Sequence, residues 1–390
     1  MKRQITDKQR FFILVLIVSI SGFSQGMLLP LISIIFEQDG LSATLNGLSA
    51  TGLYIGTLLV SPFMEAPLRR WGYKPIILVG GLLVIISLAL FPLWKSVLFW
   101  FFLRLAIGIG DHALHFSTQT WITSTSPKDR LGKNIALYGL SFGLGFAIGP
   151  LFVPLVNISE GLPFILSSVL CLIAWSFVFF LSNDFPEGFA SQQTSSARRF
   201  RTAFLIAWAA FLPPLSYGFL ESSLHAIFPV YSLRQDIPVA SVSVILAAFS
   251  IGGVVSQLPL GMLSDRFGRK PMLIILLAGG ATAFFVGGLF EQFVWALVIS
   301  FFIAGLFVGS MFSLGIAYMT DLTPKSLLPT GNLLCGIAFS MGSLTGPFFG
   351  GLFLQFSSGI SFLWMVSALL LVICISIALY RPQQDPAHVG

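Results

Sequence analysis

Long apolar runs follow one another along the whole chain, separated by short breaks of charged residues or Pro/Gly clusters. A membrane-spanning helix needs about 20 apolar residues, and the runs lack the alternation that marks barrel strands. Because only helices or closed barrels satisfy the backbone in hydrocarbon, each run is predicted to be a helix. The pattern predicts twelve spans, at 11–36, 43–66, 74–94, 96–124, 131–156, 161–182, 202–232, 239–264, 270–290, 292–320, 327–357 and 359–380.

Composition supports a lipid environment. Of the 390 residues, 56% are hydrophobic and only 9% are charged, whereas a soluble domain carries about 25% charged residues. The sequence therefore predicts an all-α membrane protein and excludes a soluble multi-domain protein. Three cysteines, Cys171, Cys335 and Cys374, lie inside apolar runs without metal-ligand spacing or a disulfide pattern, so we expect no metal site.

The chain contains an internal repeat. The segment 261–271, between two apolar runs, is similar to 69–75, which lies 196 positions earlier in the same setting. The Gly-Pro pair at 149–150 recurs at 346–347, an offset of 197. Two copies of one unit in a membrane protein place a pathway between the copies. We therefore expect two pseudo-symmetric bundles of six helices.

Charge predicts the domain boundaries and the orientation. Eighteen Lys and Arg residues fall on one side of the predicted spans, and only Lys95 and Arg234 fall on the other. The positive-inside rule then places both termini in the cytoplasm of a multi-pass protein of the cell membrane. The longest polar stretch, 183–201, is predicted to be a flexible cytoplasmic linker between an N-terminal bundle, 1–182, and a C-terminal bundle, 202–390.

Three motifs resemble those of the major facilitator superfamily (MFS) of secondary transporters. The segment 261–270 reads G-x-x-x-D-R-x-G-R-K and matches the loop signature that follows the second helix of a half. The segment 104–110 is similar to the fourth-helix motif, and 342–351 is similar to the glycine-proline motif of antiporters. The resemblance covers essentially the whole chain, and it implies an alternating-access transporter.

The resemblance assigns a mechanical role to the signature loop. It implies a conformational latch on the outward-facing state, formed by Gly261, Asp265, Arg266, Gly268 and Arg269. The alternative is that these charges only fix orientation. The first-half loop has Arg69 where the family has an acid and Glu65 where it has glycine, so we expect this copy to latch poorly or with another partner.

Glycine-proline pairs form a second shared motif, which we expect to pack helices closely. Gly346 and Pro347 belong to a complete motif in the eleventh span, whereas the family's antiporter signature lies in the fifth span, where only part of it survives around Gly149 and Pro150. The motif therefore supports antiport weakly.

The fourth span carries rare ionisable residues on one helix face. Arg104, Gly108, Asp111 and His115 are spaced so that, at 100° per residue, they project within about 60° of one another. A charge deep in a bilayer is costly unless it is paired or hydrated. We expect this face to line a cavity in which Asp111 and His115 exchange protons or bind substrate and Arg104 tunes their charge. A structural Arg–Asp network between helices is the alternative.

The seventh span carries Glu221, the leading candidate for proton coupling. Glu221 lies at the place that Gln25 occupies in the first half, at the offset of 196, and His225 follows four residues later on the same face. We expect these three residues to join the proton-coupling and substrate cavity. The alternative is a neutral Glu221 that hydrogen bonds to a neighbouring helix.

These patterns predict the function. The chain has no phosphate-binding P-loop and no motif of a membrane enzyme, so we expect a non-enzymatic transporter without cofactors. The prediction is proton-coupled efflux of a small apolar or amphipathic molecule by a functional monomer whose partners are substrate, proton and lipid bilayer, with no nucleic acid. The alternatives are an importer of a sugar or organic acid, a lipid translocase, and a non-transporting sensor or scaffold.

Overall fold

The computed structural model describes residues 6–127, 131–186, 196–324, 327–357 and 359–381, and these residues form helices and turns without any strand. The α-helices of this part are α1 (Asp7–Gln38), α2 (Ala43–Val60), α3 (Glu65–Trp71), α4 (Tyr73–Leu90), α5 (Val97–Thr125), α6 (Leu131–Ile148), α7 (Leu162–Ser176), α8 (Ser196–Ala226), α9 (Phe228–Arg234), α10 (Val239–Phe267), α11 (Arg269–Leu289), α12 (Val294–Val308), α13 (Met311–Leu322), α14 (Leu328–Phe356) and α15 (Phe362–Leu379).

Twelve helical segments of the described chain are long and apolar enough to cross a membrane. The prediction of an all-α membrane protein with twelve spans is confirmed, and most span ends lie within a few residues of those predicted. The seventh span is shorter than predicted: it ends at Ala226, and the separate helix α9 follows. Pro229 explains the break, because proline lacks an N–H and clashes with the preceding helical turn.

The repeat is visible in helix packing. A β carbon on Gly145 would lie 1.9 Å from the carbonyl oxygen of Ser19, and one on Gly342 would lie 2.0 Å from that of Leu215. Gly342 is 197 positions after Gly145, and Leu215 is 196 positions after Ser19. The contact between α1 and α6 thus recurs between α8 and α14 at the offset of the internal repeat.

The loops after the second span of each half are also equivalent. Gly72 and Gly268 both have positive φ, 80° and 90°, a conformation that glycine adopts readily. Lys74 donates hydrogen bonds to the carbonyl oxygens of Phe179 and Leu181. Lys270, 196 positions later, donates in the same way to the carbonyl of Ala378 in the last turn of α15 and to that of Tyr380 just after it. Each lysine ties the start of a third span to the end of the sixth.

Two compact units can be distinguished by their internal packing. Unit 1 holds the described residues within Met1–Ala190, Leu224–Ile251 and Pro347–Phe356. Unit 2 holds those within Ser191–Ser223, Gly252–Gly346 and Ser357–Gly390. The predicted bundles and linker stay a prediction, since 187–195 of the linker lies outside the described residues.

Unit 1 includes close contacts at the end of the helices that is poor in Lys and Arg. A β carbon on Gly47 would lie 2.1 Å from the carbonyl oxygen of Pro347, and one on Gly351 would lie 2.4 Å from that of Ala43. The first turns of α2 therefore press against the last turns of α14 with no room for a side chain. We call this contact the α2–α14 seal.

Candidate functional site

Asp111 is the acidic residue at the centre of the buried site in unit 1. It lies in the middle of α5 and is only 5% exposed. The Oγ atom of Ser21 on α1 donates a hydrogen bond of 2.8 Å to its carboxylate, and Gln25 lies one turn further along α1. A small cavity adjoins the carboxylate and is lined mostly by apolar residues of α1, α4 and α7. The carboxylate is thus held by a neutral donor.

A chain of hydrogen bonds extends from Asp111 across α5. The Oγ atom of Ser21 lies 3.1 Å from Nε2 of His115, and Nδ1 of His115 lies 2.9 Å from the Oη atom of Tyr138 on α6. Asp111, Ser21, His115 and Tyr138 therefore form one line of exchangeable protons, which we call the α5 relay. Of the residues predicted to share a cavity, the structure joins Asp111 and His115 through Ser21.

Arg104 faces a different helix. Its side chain is 1% exposed, and its Nη1 atom donates a hydrogen bond of 3.2 Å to Oγ of Ser49 on α2. Asp111 lies seven residues further along α5, about 10 Å along the axis, and its partners are on α1. The structure therefore gives Arg104 and Asp111 separate partners, and the predicted tuning of one by the other has no contact to support it.

Glu221 lies in unit 2, on α8, and is partly buried. Oη of Tyr217, one turn earlier on the same helix, lies 3.5 Å from its Oε1 atom, which is a long hydrogen bond. The carboxyl group is therefore placed within an apolar span, close to a phenol that can donate to it.

His225 follows Glu221 by one helical turn but belongs to unit 1. Its imidazole lies edge-on to Phe146 on α6, with ring centroids 4.7 Å apart, and 6.5 Å from the ring of Phe249 on α10. The side chain is fully buried. The position of this residue next to phenylalanine rings gives it a packing role in unit 1.

The signature loop forms an ion-pair network inside unit 2. Nη1 of Arg269 lies 2.8 Å from a carboxylate oxygen of Asp321 on α13 and also bonds to the carbonyl of Ala317. Nη2 of Arg269 lies 3.4 Å from Asp265. Arg266 lies over the neighbouring ring of Phe267. The predicted latch residues thus connect α10 and α11 to α13.

The remaining glycines of the two motifs differ in how crowded they are. A β carbon on Gly149 would lie 2.5 Å from the carbonyl of Phe23, and one on Gly346 would lie equally close to that of Phe219. Gly261 has open space around it. Pro150 lies in a 3₁₀ segment and Pro347 lies inside α14.

Three polar residues of the site were not predicted from the sequence. Ser21, Ser49 and Tyr138 each provide a direct partner to a predicted residue. Serine and tyrosine are common in membrane helices, and only the packing of α1, α2 and α6 against α5 shows which of them matter. Among the described residues, no cluster of three His, Cys, Asp or Glu could hold a metal ion.

Comparison with known proteins places the chain in a family. The profile of the Major Facilitator Superfamily matches residues 14–238 and 202–390, so that together the two matches cover nearly all of the chain. The chain therefore belongs to the major facilitator superfamily, a family of transporters. A Bacillus subtilis (strain 168) protein named "Uncharacterized MFS-type transporter YfkF" is 56% identical over 381 residues, covering 97% of both chains. "Multidrug resistance protein 2" of the same organism is 24% identical, covering 78% of this chain and 79% of the relative.

Solved structures show the same fold. The nucleoside transporter NupG superposes with a TM-score of 0.77 at 14% identity, covering 95% of this chain and 100% of NupG. A bacterial homologue of the human lysosomal transporter Spinster, in an inward-facing and occupied conformation, gives a TM-score of 0.72 at 15% identity, covering 95% of both chains. At these identities the likeness concerns the fold alone.

Proposed function

We propose that this transporter exports a small apolar or amphipathic molecule in exchange for protons, by alternating access across the cell membrane, with the Lys- and Arg-rich end of the helices in the cytoplasm. The observation that carries the proposal is the α5 relay, in which a buried carboxylate connects through a hydroxyl and an imidazole to a phenol. A buried ionisable group in a membrane span is by default a functional residue. A relative of the chain is named "Multidrug resistance protein 2".

The hydrogen-bond roles in the relay depend on the charge of Asp111. When Asp111 is ionised, Ser21 donates to it, so Nε2 of His115 must donate to Ser21 and Nδ1 must accept from Tyr138. When Asp111 is protonated it can donate to Ser21, every bond in the line reverses, and the Tyr138 hydroxyl turns to the carbonyl oxygen of His115, 3.4 Å away. One proton at Asp111 thus changes the contacts among α1, α5 and α6.

This reversal provides a physical route for coupling. Protonation removes the negative charge of Asp111 and weakens its bond from Ser21 on α1. Because α1 also packs against α6 through glycines, a change between α1 and α5 can shift the balance of conformations. Substrate that binds one protonation state more tightly would then move against a proton. Glu221 would act as a second proton site in unit 2.

The test uses everted membrane vesicles energised by respiration, with a quenched pH dye. We expect wild-type vesicles to release protons when ethidium or 2-naphthalenesulfonate is added, as cationic and anionic amphipathic probes. Asp111→Asn should abolish the release, because an amide cannot take up the proton. Asp236→Asn is the matched control, since Asp236 is exposed in a turn with φ of 57°, where asparagine is well tolerated.

Two outcomes would contradict the proposal. Proton release by Asp111→Asn vesicles at the wild-type rate would remove the relay from coupling. Uptake of a probe by wild-type vesicles without any proton release, with or without a pH gradient, would show that transport is not coupled to protons.

A further inference from the structure

Arg104 is the buried charge that the proposed coupling mechanism does not use. It is 1% exposed, and within the described residues it has no carboxylate within 4 Å. Its only protein hydrogen bond in this part of the chain joins Nη1 to Ser49, and its Nε and Nη2 atoms have no partner. A buried guanidinium without a carboxylate partner and with unsatisfied N–H donors destabilises the protein. The free donors of Arg104 therefore need an acceptor.

The two unpartnered atoms form one edge of the guanidinium group. Nε–H and Nη2–H are parallel donors, and their spacing matches the two oxygens of a carboxylate. Ser49 occupies the other end of the group, which fixes the plane of the guanidinium against α2. Arg104 therefore presents a fork that is ready to bind an oxyanion in two-point fashion.

The same protein provides a template for this contact. Arg234 uses its Nε and Nη2 atoms to bind the two carboxylate oxygens of Glu37, at 2.7 and 3.2 Å. Glu37 binds the Nε and Nη2 atoms of Arg234, whereas no carboxylate of the described residues binds these two atoms of Arg104. The acceptor for Arg104 is therefore expected to come from a molecule that the protein binds.

The surroundings of the fork indicate the rest of that molecule. Asn46 lies one turn before Ser49 on α2, and its Oδ1 atom is buried without a partner. Trp100, Leu103 and Ile107, which lie before and after Arg104 along α5, belong to a buried apolar core. Residues three apart on a helix share a face, so Asn46 and Ser49 lie on the same face of α2. The Asn46 Oδ1 acceptor is therefore near the guanidinium of Arg104, which bonds to Ser49.

We propose that Arg104 and Ser49 form the recognition site for the oxyanion head group of an amphipathic organic acid, which is the substrate. This assignment rests on the proposed transport function and narrows its substrate class to anions. The fork binds the carboxylate, the hydrophobic residues of α5 contact the apolar body, and Asn46 accepts a hydrogen bond from a donor on the molecule. Access to the site requires α2 to move, because the α2–α14 seal begins two residues before Ser49.

The test is equilibrium dialysis of purified protein in lipid nanodiscs at pH 8, with empty nanodiscs as the blank. The probes are 2-naphthoate and its neutral isostere 2-naphthamide, which differ only in the head group. We expect wild-type protein to bind the acid at least 10-fold more tightly than the amide. Arg104→Gln should remove this difference, and Arg104→Lys should keep the charge but bind the acid about 10-fold more weakly, because lysine cannot offer two parallel donors.

The controls separate recognition from general effects. Arg70→Gln removes an exposed arginine that lies over Trp71 and should bind like wild type. If Arg104→Gln elutes as an aggregate, Ser49→Ala is measured instead. Because the guanidinium is then no longer held against α2, this variant should bind 2-naphthoate about 3-fold more weakly and should bind 2-naphthamide like wild type.

Three results would overturn the inference: equal affinity of wild type for acid and amide, an unchanged preference in the arginine variants, or displacement of 2-naphthoate by chloride at the same concentration. The last would show a site for a simple inorganic anion. Proton release in vesicles is a separate measurement. If wild type does not prefer the acid over the amide, the proposed proton coupling is unaffected. If no proton release is seen, the measured preference for the acid still stands.

Discussion

Arg234 and Glu37 form a two-point ion pair, with Nε to Oε1 at 2.7 Å and Nη2 to Oε2 at 3.2 Å, and they are 197 positions apart. Counted by the repeat, Glu37 corresponds to Leu233, because the offset is 196 both before it, from Ser19 to Leu215, and after it, from Gly72 to Gly268. Arg234 therefore lies one residue beyond the place that corresponds to Glu37. The pair joins the end of α1 to α9 through opposite charges.

The first prediction concerns this pair. Glu37 is mostly shielded, with a side chain that is 15% exposed, so the contact is expected to contribute about 1 kcal/mol, at the upper end for surface pairs. Arg234→Gln should therefore raise the rate of maleimide labelling of a cysteine placed at Ala43, inside the α2–α14 seal, by about fivefold. The reversed pair, Glu37→Arg with Arg234→Glu, should restore slow labelling. Fast labelling in the reversed pair would show that the ion pair does not hold this end closed.

The second prediction uses the close helix contacts of the repeat. Gly145→Ala and Gly342→Ala should each destabilise the protein by about 2–3 kcal/mol, because a β carbon there meets backbone atoms and overpacking is costly. The matched controls are Gly139 and Gly336, which are also 197 positions apart and where an added β carbon would have no atom within 4 Å. Their alanine variants should melt at or slightly above the wild-type temperature.

Thermal unfolding in nanodiscs measures all four variants. If Gly145→Ala melted like Gly139→Ala, the α1–α6 contact would be looser than the structure has it.

The third prediction isolates the hydroxyl of the relay. Ser21→Ala should slow probe-induced proton release by roughly 10-fold, because the bridge between Asp111 and His115 is lost while both groups remain. Ser33→Ala is the control: Ser33 is equally buried on α1, but its hydroxyl bonds only to the carbonyl of its own helix. Equal proton release in the two variants would show that protons reach Asp111 by another route.

The fourth prediction concerns the signature loop. Asp321→Asn should cost about 0.5–1 kcal/mol, typical of an exposed ion pair. Asp265→Asn should cost less, because its contact with Arg269 is longer, 3.4 Å against 2.8 Å, and its side chain is 70% exposed. Thermal unfolding compares the two variants. A larger loss for Asp265→Asn would point to a further partner of Asp265, as the latch hypothesis requires.

The sequence predicted the fold well because the fold follows from patterns that are written along the chain. Apolar run length predicted twelve spans, and equal offsets predicted that the Gly-Pro pairs at 149–150 and 346–347 occupy corresponding places. Hydrophobicity could not predict the break after Ala226, since the residues on both sides of it are apolar and only the proline at 229 marks it.

The site was predicted less completely, for a physical reason. Helix periodicity grouped Arg104, Asp111 and His115 on one face, yet a face of α5 is wide enough to touch two neighbours. Arg104 bonds to Ser49 on α2, whereas Asp111 bonds to Ser21 on α1. Which helix packs against each turn is a property of tertiary structure, and one sequence does not contain it in a readable pattern.

The most direct test of proton exchange is a count of protons in purified proteoliposomes. Liposomes are loaded with 2-naphthalenesulfonate and a pH dye and are then diluted into probe-free buffer. Protein-free liposomes measure the passive leak of probe and protons. Because outward substrate movement is proposed to drive protons inward, the lumen should acidify in step with probe loss, and Asp111→Asn should show no acidification. Probe loss from wild-type liposomes with a constant or rising lumen pH would contradict the account.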